Sequence, residues 1–154
     1  MGKVPKQVID FLNQALAIEY SAVIQYIQYA ALLQGADRQL YKDIFEESSK
    51  ESHSHARIVS DMIVSIGGTP TIEMAKIRQT AATQEMLQFA LATEKEAMET
   101  YQKAHDALQE EGGLKYMLEE RIMAEQEDVW EFEKLLSLHA LKVAKKEIKL
   151  SETA

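Results

Sequence analysis

Four ionisable side chains stand where a helical reading of this sequence expects apolar ones. Glu19 falls in the run from Val8 to Tyr26, where Ile9, Leu12, Leu16, Val23 and Tyr26 recur at the three-and-four spacing of a core-facing helix. His55 interrupts a second stripe through Ile44, Ser48, Val59, Met62 and Ile66. Glu94 shares a third with Leu87, Ala90, Tyr101 and His105, and Glu125 a fourth with Leu118, Ile122, Val129, Phe132 and Leu136, with Asp128 one turn further on. Burying a bare charge costs on the order of several kcal/mol, so each group must be neutralised, hydrogen-bonded or bound to a cation. Any one of them has an ordinary explanation: a glutamate at a drifting amphipathic boundary, or a histidine hydrogen-bonded in a core. Four at comparable depth multiply the cost, and a pair of divalent cations offsets it. Oxygen-rich donors with one or two imidazoles suit iron or manganese.

Long helices must carry these residues, and the punctuation of the chain supplies them. Prolines occur only at 5 and 70, and the six glycines are mostly clustered. The first helix is expected over about 5–34, opened by Pro5 and stopped by Gly35. A second over about 37–66 ends at Gly67-Gly68-Thr69-Pro70. The stretch from Gly67 to about Ala82 has too little periodicity for a core helix and is long enough to return the chain along a bundle. A third helix is expected over about 83–110, with Thr83 as its N-cap, and a fourth over about 114–148 after Gly112-Gly113. Short, long and short connections describe an all-α, single-domain four-helix bundle spanning 1–154, with one crossover between the second and third helices.

Composition narrows the chemistry. With 25 acidic and 17 basic residues the 154-residue chain has a net charge of −8, which argues against nucleic acid and other phosphate-rich partners. The absence of cysteine removes disulfides, thiolate metal sites and thiol catalysis. No run is long and apolar enough for a membrane span, and no apolar leader opens the chain, so a soluble, cytoplasmic protein is expected.

The order of motifs resembles the bacterioferritin branch of the ferritin-like superfamily, from Val8 to about Leu136. The first helix carries Leu12-Asn13, Glu19, Ala22 and Gln25-Tyr26, and the second His55-Ala56 followed by Gly68-Thr69-Pro70. The third carries Met86-Leu87 and Leu91-Ala92-Thr93-Glu94, and the fourth Leu118-Glu119-Glu120 and Glu125-Gln126-Glu127-Asp128. The resemblance implies a di-iron carboxylate site, with manganese as an alternative metal, in which Glu19 and His55 are terminal ligands of one ion. Glu94 would be a terminal ligand of the other, and Glu125 would bridge the two.

Two positions depart from the family pattern. Asp128 stands where the family has a ligand histidine, and Ser52 where it has a bridging glutamate. Glu51 is a candidate replacement, since it lies about 40° around the helix from His55, whereas Ser52 lies about 60° away on the other side. His53 occupies the position of a haem-ligating methionine and is chemically able to bind haem iron. Tyr26 matches a tyrosine beside the metal site, a candidate electron or hydrogen-bond donor, while Tyr101 and Trp130 read as packing residues. Cage-forming relatives break the last helix, but residues 139–146 contain neither Gly nor Pro, so the helix is expected to run on. A homodimer through the faces of the first two helices is the expected assembly, with a larger cage as the alternative.

The activity this implies is oxidation of Fe(II) by O₂ or H₂O₂. Two other readings stand beside it. One is a peroxide-scavenging or other di-iron oxidase without storage, against which Ala97 stands where such peroxidases carry a further glutamate. The other is a non-catalytic structural or binding dimer with a degenerate metal site, suggested by Ser52 and Asp128.

Overall fold

The computed structural model describes residues 4–109 and 112–153. Four helices account for most of them: α1 (Lys6–Leu32), α2 (Arg38–Ser65), α3 (Thr83–Asp106) and α4 (Gly113–Thr153). No strand occurs among the described residues. Pro5 sits at the N-cap of α1, where its missing N–H costs nothing. Thr83 is the first residue of α3 and Ala82 its N-cap, so the cap lies one residue earlier than the threonine suggests. The expected end of the third helix at Glu110 lies outside the described residues, as do the termini of the 1–154 domain; α3 itself stops at Asp106.

The end of α2 is fixed by backbone chemistry. Gly68 N–H donates to the Ile63 carbonyl at 2.8 Å and Gly67 N–H to the Val64 carbonyl at 3.0 Å, with Gly67 at a φ of 85°. This is a Schellman closure, which needs a residue able to enter the left-handed region. The crossover that follows runs alongside α1 in the same direction. Asn13 holds its start, donating from Nδ2 to the Thr69 carbonyl (3.1 Å) and accepting from Thr71 N–H (2.8 Å). Ala75 N–H donates to the Ala17 carbonyl, and Arg78 N–H to Gln25 Oε1, both at 2.9 Å. The chain thus returns to the far end of α1 before α3 begins. As a result α3 runs antiparallel to α1, with Tyr26 meeting Glu94 and Glu19 meeting Tyr101.

The interior is divided. One apolar cluster, including Leu12, Leu16, Val59, Met62, Tyr101 and Leu118, fills one end of the bundle. Another, including Tyr26, Tyr29, Phe45, Leu87 and Phe132, fills the other end, with the Tyr26 and Phe132 rings packed around Phe45. Buried Glu19, Glu94 and Glu125 occupy the layer between them.

Helix α2 turns a different face inward from the one its periodicity suggests. Ile44, Ser48, His55 and Ile66 are only partly buried, whereas Phe45, Ser49, Ser52, Ala56 and Ile63 are buried beside Val59 and Met62. Small residues let α2 sit close to α1, and Ser49 hides its hydroxyl by donating to the Val23 carbonyl at 2.9 Å. Trp130 is not a packing residue: it is largely exposed, because the core side of α4 passes through Val129 and Phe132 instead. His105 lies at the end of α3 near Glu119, 3.1 Å from its carboxylate, outside the core stripe. The last buried residue of α4 is Leu135, and beyond it the helix continues to Thr153 with residues 140–153 exposed.

Candidate metal centre

Each helix delivers one side chain to the polar layer, α1, α2 and α3 from near their middles and α4 from nearer its start. Glu19 comes from α1, His55 from α2, Glu94 from α3 and Glu125 from α4, with Asp128 one turn beyond. Donor atoms of Glu19, His55 and Glu125 all lie within 4.8 Å of one another, and so do those of Glu94, Glu125 and Asp128. Glu125 belongs to both groups. His55 Nδ1 lies 2.9 Å from Glu125 Oε1 and 3.5 Å from Glu19 Oε1.

Glu125 tests whether a cation fits. It is fully buried, and neither of its oxygens has a hydrogen-bond partner among the described residues. The His55 approach is therefore a charge contact without hydrogen-bond geometry. An orphaned buried carboxylate is among the costliest groups a core can hold, and two donor groups converging on it are what a pair of divalent cations would use. The donor set, four carboxylates and one imidazole, matches the preferences of iron and manganese.

The surroundings hold the outer carboxylates in place. The Tyr101 hydroxyl on α3 donates to Glu19 Oε1 at 2.8 Å, and the Tyr26 hydroxyl on α1 donates to Glu94 Oε1. Each tyrosine lies seven residues after a glutamate on its own helix and serves the glutamate of the other, so the antiparallel pair α1 and α3 is locally two-fold in its chemistry. Beneath this layer Thr93 Oγ1 accepts from Gln25 Nε2 and from the Arg78 guanidinium, both at 3.0 Å, tying the crossover to both helices.

Without a cation the site holds protons. Burial pushes the Glu125 carboxyl well above the usual carboxylate range, and the charges of Glu19 and Glu94 add to it. Burial likewise raises Glu94, and it raises Asp128 to about 8, helped by Glu94 and Glu51. For His55, burial lowers the imidazole, but the adjacent Glu19 carboxylate outweighs it and the net shift is upward. Tyr26 and Tyr101 are pushed far up by burial and then by the facing carboxylates, so both stay protonated as donors.

Of the residues expected at a metal site from sequence, Glu19, His55, Glu94, Glu125 and Asp128 come together in the two groups. Glu51 joins neither group: it is an exposed residue near Asp128, and partial burial raises its carboxyl above the ordinary value. Ser52 is buried and brings no carboxylate to the layer. His53 is exposed on α2 and takes part in neither group. Tyr101, read from sequence as packing, is buried in the core and in addition donates a hydrogen bond to Glu19. The equal seven-residue spacing of Glu19 to Tyr26 and Glu94 to Tyr101 is the sequence signal that could have found this second role.

Known proteins sharpen the picture. A family model described as the ferritin-like domain matches residues 9–141. A ferritin-like, diiron-carboxylate protein of Bacillus anthracis is 33% identical, with a TM-score of 0.80 over 88% of this chain and 99% of that one. The bacterioferritin of Rhodobacter capsulatus, whose structure has a metal-free dinuclear site and a haem iron, is 28% identical, with a TM-score of 0.79 over 90% and 89% of the two chains. A dodecameric thioferritin, the bacterioferritin-related protein of Bacteroides fragilis, shares the fold at a TM-score of 0.81 and 23% identity, covering 93% of each chain. No curated protein matches. With a split core, acids converging from four helices and this set of relatives, the chain belongs to the ferritin-like domain family, in its bacterioferritin-like branch.

Proposed function

We propose that this protein is a ferroxidase: it takes up two ferrous ions between its four helices and oxidises them with O₂ or H₂O₂. The observation that carries the proposal is Glu125, buried, unpartnered and shared by two sets of metal-competent side chains. When bound, the iron pair supplies two electrons, which with two protons convert dioxygen to hydrogen peroxide or hydrogen peroxide to water. Glu19 and His55 would hold one ion, Glu94 and Asp128 the other, with Glu125 between them. Tyr101 and Tyr26 orient the outer carboxylates by donating to one oxygen of each. Tyr26, beside the all-carboxylate group, is also our candidate for an electron donor. Glu51 assists from the rim through Asp128, and His53 has no role in this reading. Manganese fits the same donors.

The assembly we propose is a homodimer through α1 and α2, whose outer faces expose Ile24, Ile27, Leu40 and Val64. The setting is cytoplasmic, and no described helix is long and apolar enough to cross a membrane. Oxidation of iron is favoured over a rubrerythrin-like peroxidase because Ala97, buried on α3, leaves no further carboxylate there. Anaerobic Fe(II) titration followed by oxidant tests the proposal. Saturable binding near two irons per chain, and loss of rapid oxidation in Glu19→Ala, are expected; unchanged oxidation in that variant would overturn it.

A further inference from the structure

The outer side of α4 carries a second apolar stripe, apart from the one that faces the core. Tyr116, Met123, Trp130, Leu141 and Ile148 are each more than half exposed. At 100° per residue all five fall within about 40° of one line along the helix, on the side away from buried Leu118, Glu125 and Phe132. The charges beside that line are sorted along its length. Between residues 113 and 133 acidic side chains outnumber Lys and Arg by seven to two, and between 134 and 153 the balance reverses to five Lys against two Glu. Glu120, Glu127 and Glu131 flank the stripe in the first half, and Lys145 and Lys149 flank it in the second, all exposed and all about 60–100° to the same side of the line. None of these five forms an ion pair among the described residues.

We propose that this face of α4 docks on the same face of a second copy of the chain, the two helices running antiparallel about a two-fold axis. A dyad perpendicular to a helix pair keeps each flank on its own side, so the acidic flank of one copy meets the basic flank of the other. A parallel pair would lay acidic half beside acidic half. With the axis between Leu135 and Leu136, Trp130 comes opposite the partner's Leu141 and Met123 opposite the partner's Ile148, while Glu127 lies within one residue of the level of the partner's Lys145. Apolar stripe and charge pattern thus select the same register. That axis also falls where burial in α4 ends, at Leu135, so the two bundles stand on opposite sides of the helix pair without competing for space. Each projecting end is then covered by the bundled half of α4 in the other copy. The contact is separate from the one proposed for α1 and α2 and does not depend on metal.

The chain has no cysteine, so thiols can be placed at chosen positions of the full-length protein. In Glu127→Cys/Lys145→Cys the two thiols of one helix stand about 27 Å apart, beyond a short bismaleimide, whereas across the dyad they are neighbours. The expected result is a covalent dimer on denaturing gels from the double variant and only monomer from either single one. Adding Trp130→Glu, an exposed position whose change leaves the melting temperature of the bundle in place, should reduce the cross-link by about tenfold or more. Sedimentation of the cysteine-free chain gives an independent readout. Lys145→Glu/Lys149→Glu should weaken association by about tenfold or more, and adding Glu120→Lys/Glu127→Lys should restore it. Absence of the cross-link, equal cross-linking in the single variants, or no recovery on the paired reversal would overturn the α4 contact. An assembly that survives every one of these changes would be the α1 and α2 contact alone, and would overturn it as well.

Discussion

At the residue scale, the candidate site is a place where the fold accepts instability in exchange for chemistry. Glu19, Glu94 and Glu125 crowd one buried layer, and only the outer two receive hydroxyl donors, from Tyr101 and Tyr26. The metal-free protein should therefore respond to pH in an unusual direction. Asp128 is raised from 3.8 to about 8, and Glu94 and Glu125 are raised as well. A carboxyl with a raised pKa binds its proton more tightly folded than unfolded, so stability falls as pH rises from the unfolded value towards the folded one. His55, also raised, acts in the same sense, since its stabilising contribution is lost as pH climbs through its folded pKa. The melting temperature of metal-free protein should fall between about pH 5 and 8. Asp128→Asn, which cannot ionise, should flatten that slope and melt higher than wild type at pH 8. A melting temperature that climbs over this interval, with no effect of the substitution, would contradict the protonated site. Divalent metal should reverse the trend by displacing these protons.

At the element scale, the site depends on the crossover that returns the chain to the far end of α1. Its origin is the closure of α2, where two adjacent glycines do different jobs. Gly67 has open space around a hypothetical Cβ but a φ of 85°, so Gly67→Ala carries only the backbone penalty, about 1 kcal/mol. At Gly68 a Cβ would stand 2.8 Å from Ile9 Cγ2, 2.9 Å from Ile63 Cγ2 and 3.2 Å from the Ile63 carbonyl. Branched side chains at those positions have little room to move, so Gly68→Ala should cost about 1–3 kcal/mol and exceed Gly67→Ala. Urea unfolding of both variants measures the difference, and equal losses would show that Ile9 and Ile63 yield freely. The same crossover brings Arg78 to Gln25 and Thr93, one residue from Glu94, so damage at the end of α2 reaches the metal layer through the hydrogen bonds of residue 78.

At the scale of the whole molecule, α4 is longer than the bundle it belongs to. Its 41 residues span about 62 Å, yet burial ends at Leu135. Lys142 still touches the turn between α1 and α2, its Nζ lying 3.2 Å from Asp37, and His139 lies beside Tyr41 near the start of α2. Among the described residues beyond Lys142, no side chain is buried. Diluted until monomeric, a chain ending at Lys142 should keep its unfolding free energy within about 0.5 kcal/mol while losing part of its helical circular dichroism. A large loss of stability under those conditions would mean that the projecting segment packs on its own bundle.

Periodicity and punctuation in the sequence determined the four helices and the long crossover, because amphipathic spacing and glycine or proline breaks act locally, while the family was marked by the resemblance of its ordered motifs. They also marked Glu19, His55, Glu94 and Glu125 as misplaced charges, since a polar group in an apolar stripe is visible without knowing what faces it. What faces it was decided only in three dimensions. The inward face of α2 turned on how closely Ser49 and Ser52 let it approach α1. The donation from Tyr101 to Glu19 needed α3 to run antiparallel to α1. That Glu125 is shared by two donor groups and left without a partner of its own is a fact of four helices meeting, carried by no single segment of the chain.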